Sequence, residues 1–309
     1  MIEPGTGLTI LGTAVGSAKL LEKLLGPTAD YLGEEIKELT KKKVTNLSNI
    51  FKNAEKKVGE ELNKPGAVPP KVLKGILSEG PWCEEELQVE YFGGVLASSR
   101  SGISRDDRGA YFTSLISRLT TYQLRAHYLL YHAFKFNFKN YILNDAHLEN
   151  LEELEISIPE KTYLEGMDFT GDEKLSINQL TSHAFWGLRN ENLIGPFFYG
   201  DFESHKNRVH EEDSNKYKVF DNGREVGMNM PMRSKEWIIE ATPSPLGIEL
   251  MMWAYGHGKK DIAEFFHPDL LMPDSQDLNL EFTEKKLRIM LISDQNYWNK
   301  IKNKEEKEQ

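Results

Sequence analysis

The chain has 309 residues, of which 28% are charged, and a formal net charge of −10. This length suits one large or two modest domains, and the composition is that of an ordinary soluble protein. The negative charge argues against a general nucleic-acid binder, because such proteins use a basic footprint to displace phosphate counterions. Cys83 is the only cysteine, which excludes an intramolecular disulfide and a cysteine-rich zinc site.

The first residues predict neither an export signal nor a membrane span. Met1 is followed by Ile2 and Glu3, so no basic segment precedes an apolar core. The uncharged run at 4–18 is shorter than the roughly 18 residues expected of a spanning helix. Since a single cysteine also fits a reducing compartment, we expect a cytoplasmic protein.

Two helices are predicted in the N-terminal region, residues 1–64. The first covers 8–25, where Gly12 and Gly16 would give a smooth face for packing in the core or against another subunit. The second covers 34–62 and has apolar residues at three- and four-residue spacing. The prolines at 65, 69 and 70 then end it.

A basic face accompanies the second helix. Its lysines are Lys41, Lys42, Lys43, Lys52, Lys56 and Lys57. Such a face can lie on an anionic membrane or meet a partner protein. The interpretation we favour is a solvated lysine face on a helix whose other side is buried, because lysine stems readily cover helix surfaces.

Residues 65–104 predict a helical hairpin that breaks at the Gly80-Pro81 pair. The three glutamates at 84–86 fall in the first turn of its second helix, where the helix dipole favours acids, so no catalytic role is needed to explain them. Gly93 and Gly94 in mid-helix cost roughly 1 kcal/mol each against alanine. This cost indicates that another backbone comes close to the helix there.

The densest group of opposite charges follows the hairpin. Arg105, Asp106, Asp107 and Arg108 are consecutive. We expect Asp106 or Asp107 to cap a helix that begins near Arg108, and the four side chains to form a salt-bridged polar cluster. This role is preferred to catalysis, because isolated charge clusters are more often solvated structure.

Residues 105–275 predict a mainly helical domain with a small β component. Two helices come first, the second of them capped by Thr120 or Thr121, and a short strand then ends at Pro159. Residues 175–194 have the pattern of helix, turn and helix, followed by strands at 197–202 and 237–239 around a long wing and by a helix from Pro245. This order is the layout of a winged helix-turn-helix.

The helix predicted to occupy the recognition position is poor in cations. Arg189 is its one certain cation and has Glu191 beside it. Because readout of DNA needs cations for phosphates and bases, we favour a winged helix used for protein contacts and keep DNA binding as an alternative.

The sequence predicts no cofactor and no metal site. His127 and His132 are five residues apart, a spacing that places them poorly for one metal on a helix face. His205, His210 and the acids at 211–213 fall in the wing, where a solvated charged loop explains them. Phosphate loops, dinucleotide fingerprints, nucleophile elbows and zinc-protease helices are all missing from the sequence.

Residues 276–309 predict one more helix, which Thr283 could cap, and a charged tail at 302–309 that frays. The predicted divisions of the chain are therefore 1–64, 65–104, 105–275 and 276–309.

The order of these elements resembles the Abi-alpha family, which is named for abortive infection and found in bacteria and phage-related loci. The resemblance is carried by 26–29 (Gly-Pro-Thr-Ala), 32–34 (Leu-Gly-Glu), 68–70 (Val-Pro-Pro), 85–97 (from Glu-Glu-Leu to Leu-Ala), 108–120 (from Arg-Gly-Ala to Leu-Thr) and 245–247 (Pro-Leu-Gly). It extends over residues 20–260. The lysines at 41–43 depart from the more apolar segment usual in the family, and the wing is long.

The resemblance implies a role in defence against phage, with dormancy or death of the cell as the outcome, and it brings no catalytic residues. Our leading hypothesis is a bacterial abortive-infection protein that acts through protein contacts, with a protein partner or a second copy, and at the membrane surface. The alternatives are a winged-helix DNA-binding regulator and a hydrolase or nuclease that uses Asp106, Asp107 or the wing loop at 205–213.

Overall fold

The computed structural model describes residues 41–103, 105–139, 141, 143, 151, 154–201, 219–221, 224–226 and 237–273. The predictions for the helix at 8–25, the family motifs at 26–34, the wing loop at 205–213 and the C-terminal helix and tail at 276–309 lie outside these residues. Within them the chain is mainly helical, with one small three-stranded antiparallel sheet, which confirms the predicted fold class.

Eight helices lie in the described ranges. They are α1 (Lys41–Val58), α2 (Pro70–Glu79), α3 (Glu86–Ser99), α4 (Gly109–Arg118), α5 (Thr121–Asn137), α6 (Glu160–Met167), α7 (Ile177–Asn190) and α8 (Pro245–Ala254). The strands are β1 (Ile156–Pro159), β2 (Phe197–Asp201), β3 (Val219–Asp221), β4 (Arg224–Val226) and β5 (Trp237–Ala241). One cluster of buried hydrophobic side chains draws on all eight helices.

Helix α1 has the amphipathic character that its spacing predicts. Leu47, Ile50, Phe51 and Ala54 are fully buried. The 3₁₀ turn Gly59–Asn63 continues the helix, and the buried guanidinium of Arg100 donates to backbone carbonyls there. Its Nη1 lies 3.0 Å from the carbonyl oxygen of Glu61 and its Nη2 lies 3.3 Å from that of Leu62. The arginine thereby satisfies carbonyls that a helix end leaves without partners.

Helices α2 and α3 form the predicted hairpin, and the 3₁₀ turn Gly80–Trp82 separates them. Its base is closed by two backbone hydrogen bonds of 3.0 Å between Ala67 and Ser101. A Cβ atom on Gly94 would lie 1.7 Å from the carbonyl oxygen of Ala254 in α8. The predicted close approach of a second backbone is therefore confirmed, and α8 provides it.

The two predicted helix caps have different outcomes. Thr120 caps α5 and forms a capping box with Gln123, as expected. The capping role predicted for Asp106 or Asp107 is wrong, because no side chain caps α4. Arg108 already has a helical backbone at the N-cap position, and it holds the carboxylate of Asp106.

The elements from α5 to β5 have the winged-helix layout. Along the chain come α5, β1, α6, α7, β2 and β5, and β5 lies between β1 and β2 in the antiparallel sheet. Ile239 of β5 pairs with Ile158 on one side and with Tyr199 on the other. Strands β3 and β4 pair antiparallel within the wing.

The helix-turn-helix lies earlier in the chain than predicted. Residues 177–190 form one helix, α7, and its partner is α6, which follows β1 directly. The chain changes direction after α6 at Asp168, whose φ of 53° ends that helix in the left-handed region. Among the helices of the described ranges, none combines the length and the apolar character needed to cross a membrane.

Candidate interaction surface

Helix α7 occupies the recognition position of the winged helix and has one fully buried side. That side carries Thr181, Ala184, Phe185 and Leu188. The ring of Phe185 lies 5.5 Å from that of Tyr163 in α6 and 5.4 Å from that of Phe197 in β2. These side chains recur at three- and four-residue spacing, which is the pattern of one face of a continuous helix.

The opposite side of α7 faces solvent. Its exposed residues are Asn178, Gln179, His183, Trp186, Arg189 and Asn190. Trp186 is 60% exposed, and its ring packs edge-on against that of Phe197 at 5.0 Å. We call this exposed side the α7 face. Tryptophan is enriched among the residues that anchor protein partners.

The α7 face has no acidic residue. Between Lys174 and Asn190 the sequence has no Asp or Glu, although the whole chain has 48 of them. Lys174 precedes the helix, Arg189 lies in its last turn, and Glu191 follows it. Protein interfaces are depleted of charge at their centre and enriched in Trp and Arg, so this composition favours a protein contact.

The surrounding module is acidic. Residues 154–244 contain ten Lys and Arg against sixteen Asp and Glu, a net charge of −6. A phosphate backbone would meet this unfavourable charge as it approached α7.

A hydrogen-bonded tyrosine holds α7 in place. The hydroxyl of Tyr199 lies 2.7 Å from a carboxylate oxygen of Glu160 and 2.9 Å from the side-chain oxygen of Asn178. One phenol has one proton to donate, and the carboxylate is the stronger acceptor, so the Asn178 amide must turn its NH₂ group toward the tyrosine. Burial, with the bond to Glu160, raises the pKa of Tyr199. The contact fixes β2 against the first turns of α6 and α7.

A second contact anchors α7 on α5. A Cβ atom on Gly187 would lie 1.7 Å from Nε2 of Gln123, the residue that completes the cap of α5. Close to it, Nε2 of His183 lies 3.3 Å from the hydroxyl of Thr120. These contacts pack α7 against the start of α5.

The charges predicted to cluster after the hairpin are only partly brought together. Nε and Nη2 of Arg108 donate to the two carboxylate oxygens of Asp106 at 2.8 and 3.0 Å. Asp107 instead pairs with Lys71 at 3.1 Å, and Arg105 is exposed and makes no ion pair with the described residues. The bond from Arg108 lowers the pKa of Asp106. The Asp107–Lys71 pair is solvent-exposed and joins the segment before α4 to α2, whereas the Asp106–Arg108 pair is local and Asp106 is partly buried.

The lysines of α1 differ in their surroundings. Lys42, Lys52 and Lys56 are exposed, and the side chain of Lys41 lies outside the described residues. The Nζ of Lys43 lies 3.2 Å from the ring centroid of Trp82. Among the side chains that the structure describes, the predicted basic face therefore has three exposed lysines.

Lys57 turns inward instead of joining that face. Its side chain is 15% exposed, and its Nζ lies 2.6 Å from a carboxylate oxygen of Glu90. Burial lowers the pKa of Lys57, while Glu90 opposes the shift. This lysine joins α1 to α3.

A histidine is buried at the junction of α3, α5 and α8. Nε2 of His127 lies 3.1 Å from the carbonyl oxygen of Gly247, which can only accept, so Nε2 carries the proton. Nδ1 therefore accepts from the hydroxyl of Tyr91 at 2.8 Å. Burial lowers the pKa of His127 to about 3.

His132 does not share a site with His127, since its Nε2 contacts the hydroxyl of Tyr255 at 2.6 Å. Within the described ranges, no three His, Cys, Asp or Glu side chains are grouped as metal ligands would be.

Glu240 is a buried carboxylic acid on the central strand β5. It is 5% exposed, and burial, with the charge of Glu155, raises its pKa to about 8. The group is protonated at neutral pH, because the folded protein favours the uncharged form.

Next to the α7 face lies an open depression of about 400 Å³. Its lining residues are Glu160, Lys161, Leu164, Glu165, Asp168, Phe169 and Lys174. Because the depression is open and mixed in charge, it has the character of a surface hollow beside the helix.

The sequence-based reasoning noticed Arg189 and Glu191 and missed Trp186, Asn178 and Gln179. The missed signal was the unbroken helical period through 177–190, which places these side chains on one face. The acid-free run at 174–190 was a second available signal.

No family model, no curated protein and no solved structure matches this chain. The function proposed next therefore rests on the residues and geometry of the α7 face and on the family resemblance.

Proposed function

We propose that this chain is a bacterial antiphage defence protein of the abortive-infection type that acts through protein contacts of the α7 face. The observation that carries the contact is the exposed indole of Trp186 in a stretch without acidic residues. Aromatic anchors in charge-depleted surroundings are the usual energetic centre of protein interfaces. The defence role comes from the resemblance to the Abi-alpha family.

Several motifs that carry the resemblance lie in helices that pack together, which supports a scaffold shared with the family. Those at 85–97, 108–120 and 245–247 belong to α3, α4 and α8, which pack against one another through Gly94, Gly109 and Trp253. A scaffold of this kind positions the winged helix, whose α7 face is exposed.

Phage plating on a bacterial host that expresses the chain tests the proposal. We expect the wild type to reduce plaque formation by at least one phage of a panel, or to arrest growth of infected cells. Trp186→Ala should lose this effect. Tyr111→Ala is the control, because Tyr111 is an exposed aromatic residue that lies on α4.

Two results would count against the proposal. One is a wild-type chain that restricts no phage and slows no host. The other is a Trp186→Ala variant that is as protective as Tyr111→Ala at equal protein level.

We further propose a cytoplasmic protein with peripheral membrane contact through the exposed lysines of α1. Lys42, Lys52 and Lys56 provide the positive charge for anionic lipids. Fractionation of cells before and after infection tests this point, and a protein found wholly in the soluble fraction at both times would contradict the membrane contact.

DNA binding is the second candidate, and the winged-helix order of the elements favours it. Asn178, Gln179 and Arg189 are residue types that read base edges. The net charge of −6 over 154–244 opposes it. Affinity for duplex DNA measured against salt decides: a steep fall with rising salt supports this candidate, and a flat or absent response excludes it.

A further inference from the structure

We infer that the surface around the end of α5 binds an anionic lipid bilayer, with two exposed apolar side chains inserting between headgroups and nearby lysines contacting the phosphates. We call this surface the Phe136 patch, and its residues are Lys135, Phe136, Lys139, Lys260 and Leu271. The inference goes beyond the membrane contact proposed for α1, because it concerns other residues and adds apolar side chains to the cations.

The end of α5 lies in a stretch of sequence without acids. Residues 108–144 contain five Lys and Arg and no Asp or Glu, although the whole chain has 48 acids. Three phenylalanines alternate along the last turn of α5 and the turn after it. Phe134 and Phe138 are buried, whereas Phe136 is 59% exposed. The exposed ring therefore lies between two cations in sequence, Lys135 and Lys139.

The segment 255–273, which follows α8 and which we call the strap, is tied to this end of α5. Nζ of Lys135 donates to the carbonyl oxygen of Phe265 at 2.5 Å and to that of His267 at 3.1 Å. Nε2 of His257 donates to the carbonyl oxygen of Leu271 at 2.9 Å. These bonds hold the backbone of the strap and leave the side chain of Leu271 73% exposed.

Phe136 and Leu271 border the same polar contact. The hydroxyl of Tyr255 lies 2.6 Å from Nε2 of His132 and 3.1 Å from the carbonyl oxygen of Pro273. Phe136 follows His132 by four residues and so shares its side of α5. Leu271 precedes Pro273 by two residues. Both exposed side chains therefore belong to the surface around the Tyr255 hydroxyl.

The charges that act on Lys135 are positive. Burial, with the charges of Lys139 and Lys260, lowers the pKa of Lys135 to about 8. Burial also lowers the pKa of His257, and Lys260 and Lys135 add to that shift. Because these cations lie close enough to repel one another, an anion that approaches them is attracted.

The acids of the strap do not cancel this charge at the end of α5. Glu264 lies 3.5 Å from Nζ of Lys260, and Asp269 lies 3.6 Å from Nδ1 of His267. Each of these carboxylates is therefore beside a basic side chain of the strap itself. Lys135 and Lys139 remain as the positive charge of the patch.

The combination of exposed apolar and cationic side chains favours a bilayer over a nucleic acid. A peripheral protein buries apolar side chains at the boundary of headgroups and acyl chains while its lysines meet anionic lipids. Single-stranded nucleic acid is bound by aromatic stacking along a basic groove. Leu271 has no ring for such stacking, and the strap places acids beside the patch.

Co-sedimentation of the full chain with vesicles tests the inference. Vesicles of equal parts phosphatidylcholine and phosphatidylglycerol should bind the wild type, and vesicles of phosphatidylcholine alone should bind it much less. Binding should weaken as the salt concentration rises, because salt screens the attraction of the lysines to the lipid.

Substitutions in the patch test its two components. Phe136→Ala and Leu271→Ala should each weaken binding to the anionic vesicles roughly 10-fold, because the inserted apolar surface is lost. Lys139→Glu should also weaken it, since a carboxylate repels the anionic lipid. Tyr111→Ala, at an exposed aromatic residue on α4, is the matched control and should bind as the wild type does. Thermal unfolding of each variant checks that the fold is kept.

Lys52→Glu separates this patch from the basic face of α1. Binding that Lys52→Glu abolishes and Phe136→Ala leaves intact would overturn the inference and leave the contact proposed for α1 standing. A wild type that binds neither kind of vesicle would overturn both. Protection against phage that depends on Trp186 would be untouched by either result.

Two further results would assign the patch to another partner and overturn the inference. One is a dimer in sedimentation equilibrium that Phe136→Ala dissociates. The other is binding of single-stranded DNA that Phe136→Ala abolishes, in a chain that ignores the vesicles.

Discussion

The hydroxyl of Tyr91 lies 2.8 Å from Nδ1 of His127, and both side chains are fully buried. His127 therefore stays neutral in the folded chain, and its pKa is lowered to about 3 from the ordinary 6.5. This pair joins α3 to α5, and the bond from His127 to Gly247 extends the connection to α8. A buried polar contact of this kind is costly to disturb, because any group left without a partner keeps its desolvation penalty.

We expect His127 to make the protein less stable in acid. The unfolded chain takes up a proton below pH 6.5 that the folded chain refuses until about pH 3, so stability is full above 6.5 and falls as the pH drops. The loss between pH 7 and pH 5 is about 2 kcal/mol. Urea unfolding at both pH values, for the wild type and His127→Gln, measures it.

The variant should be less stable than the wild type at pH 7, and the difference should shrink toward pH 5 because the variant lacks this part of the pH dependence. Equal pH dependence in the two proteins would contradict a neutral buried histidine.

Glu240 should make the protein less stable as the pH rises, which is opposite to the effect of His127. Its folded pKa of about 8 lies above the ordinary 4.5, so the folded chain holds a proton that the unfolded chain releases. This contribution to stability is full below pH 4.5 and is lost as the pH rises through 8, with a change of about 2 kcal/mol between pH 6 and pH 8.

Glu240→Gln, which cannot ionise, should flatten unfolding stability over that range. Because the effects of Glu240 and His127 oppose each other between pH 4.5 and 6.5, each must be read as a difference between wild type and variant. A Glu240→Gln protein whose stability falls as steeply as that of the wild type would disprove the assignment.

Gly94→Ala should destabilise the fold severely. The added methyl group would meet the backbone of Ala254, which cannot move aside as a side chain can. We expect a loss of about 3 kcal/mol or more, at the upper end of overpacking costs. Gly102→Ala is the matched control, because nothing lies within 4 Å of the position where its Cβ would be. A thermal unfolding midpoint equal to that of the control would show that α3 and α8 do not touch there.

Asp106→Ala should have little effect on stability or on protection against phage. Its partner Arg108 is 56% exposed, and ion pairs with one partner in solvent contribute about 1 kcal/mol or less. Asp107→Ala should behave alike, since its partner Lys71 is also exposed. Loss of protection in either variant, with the protein still folded, would revive the hydrolase or nuclease hypothesis.

Local signals predicted the parts of the fold that depend on neighbours in sequence. The break at Gly80, the cap at Thr120 and the proline that opens α8 each act within one helical turn. Helix α6 was missed because it has only eight residues and begins directly after β1.

The buried polar groups could not be predicted, because their partners are distant in the sequence. His127 bonds to residues 36 positions before it and 120 positions after it. Nothing in the sequence around Glu240 indicates that β1 and β2 enclose it on both sides. The α7 face was predictable only in part, since its exposure depends on where α6 and β2 pack.

The contact between Gly94 and Ala254 also sets an order of events during synthesis. Helix α3 leaves the ribosome 160 residues before the carbonyl group it must meet. At roughly 5 to 20 residues per second, that interval is about 10 to 30 s. During this time α3, which is buried along nearly its whole length in the finished protein, has no final neighbour on one side. The nascent chain therefore exposes one side of an apolar helix until α8 arrives.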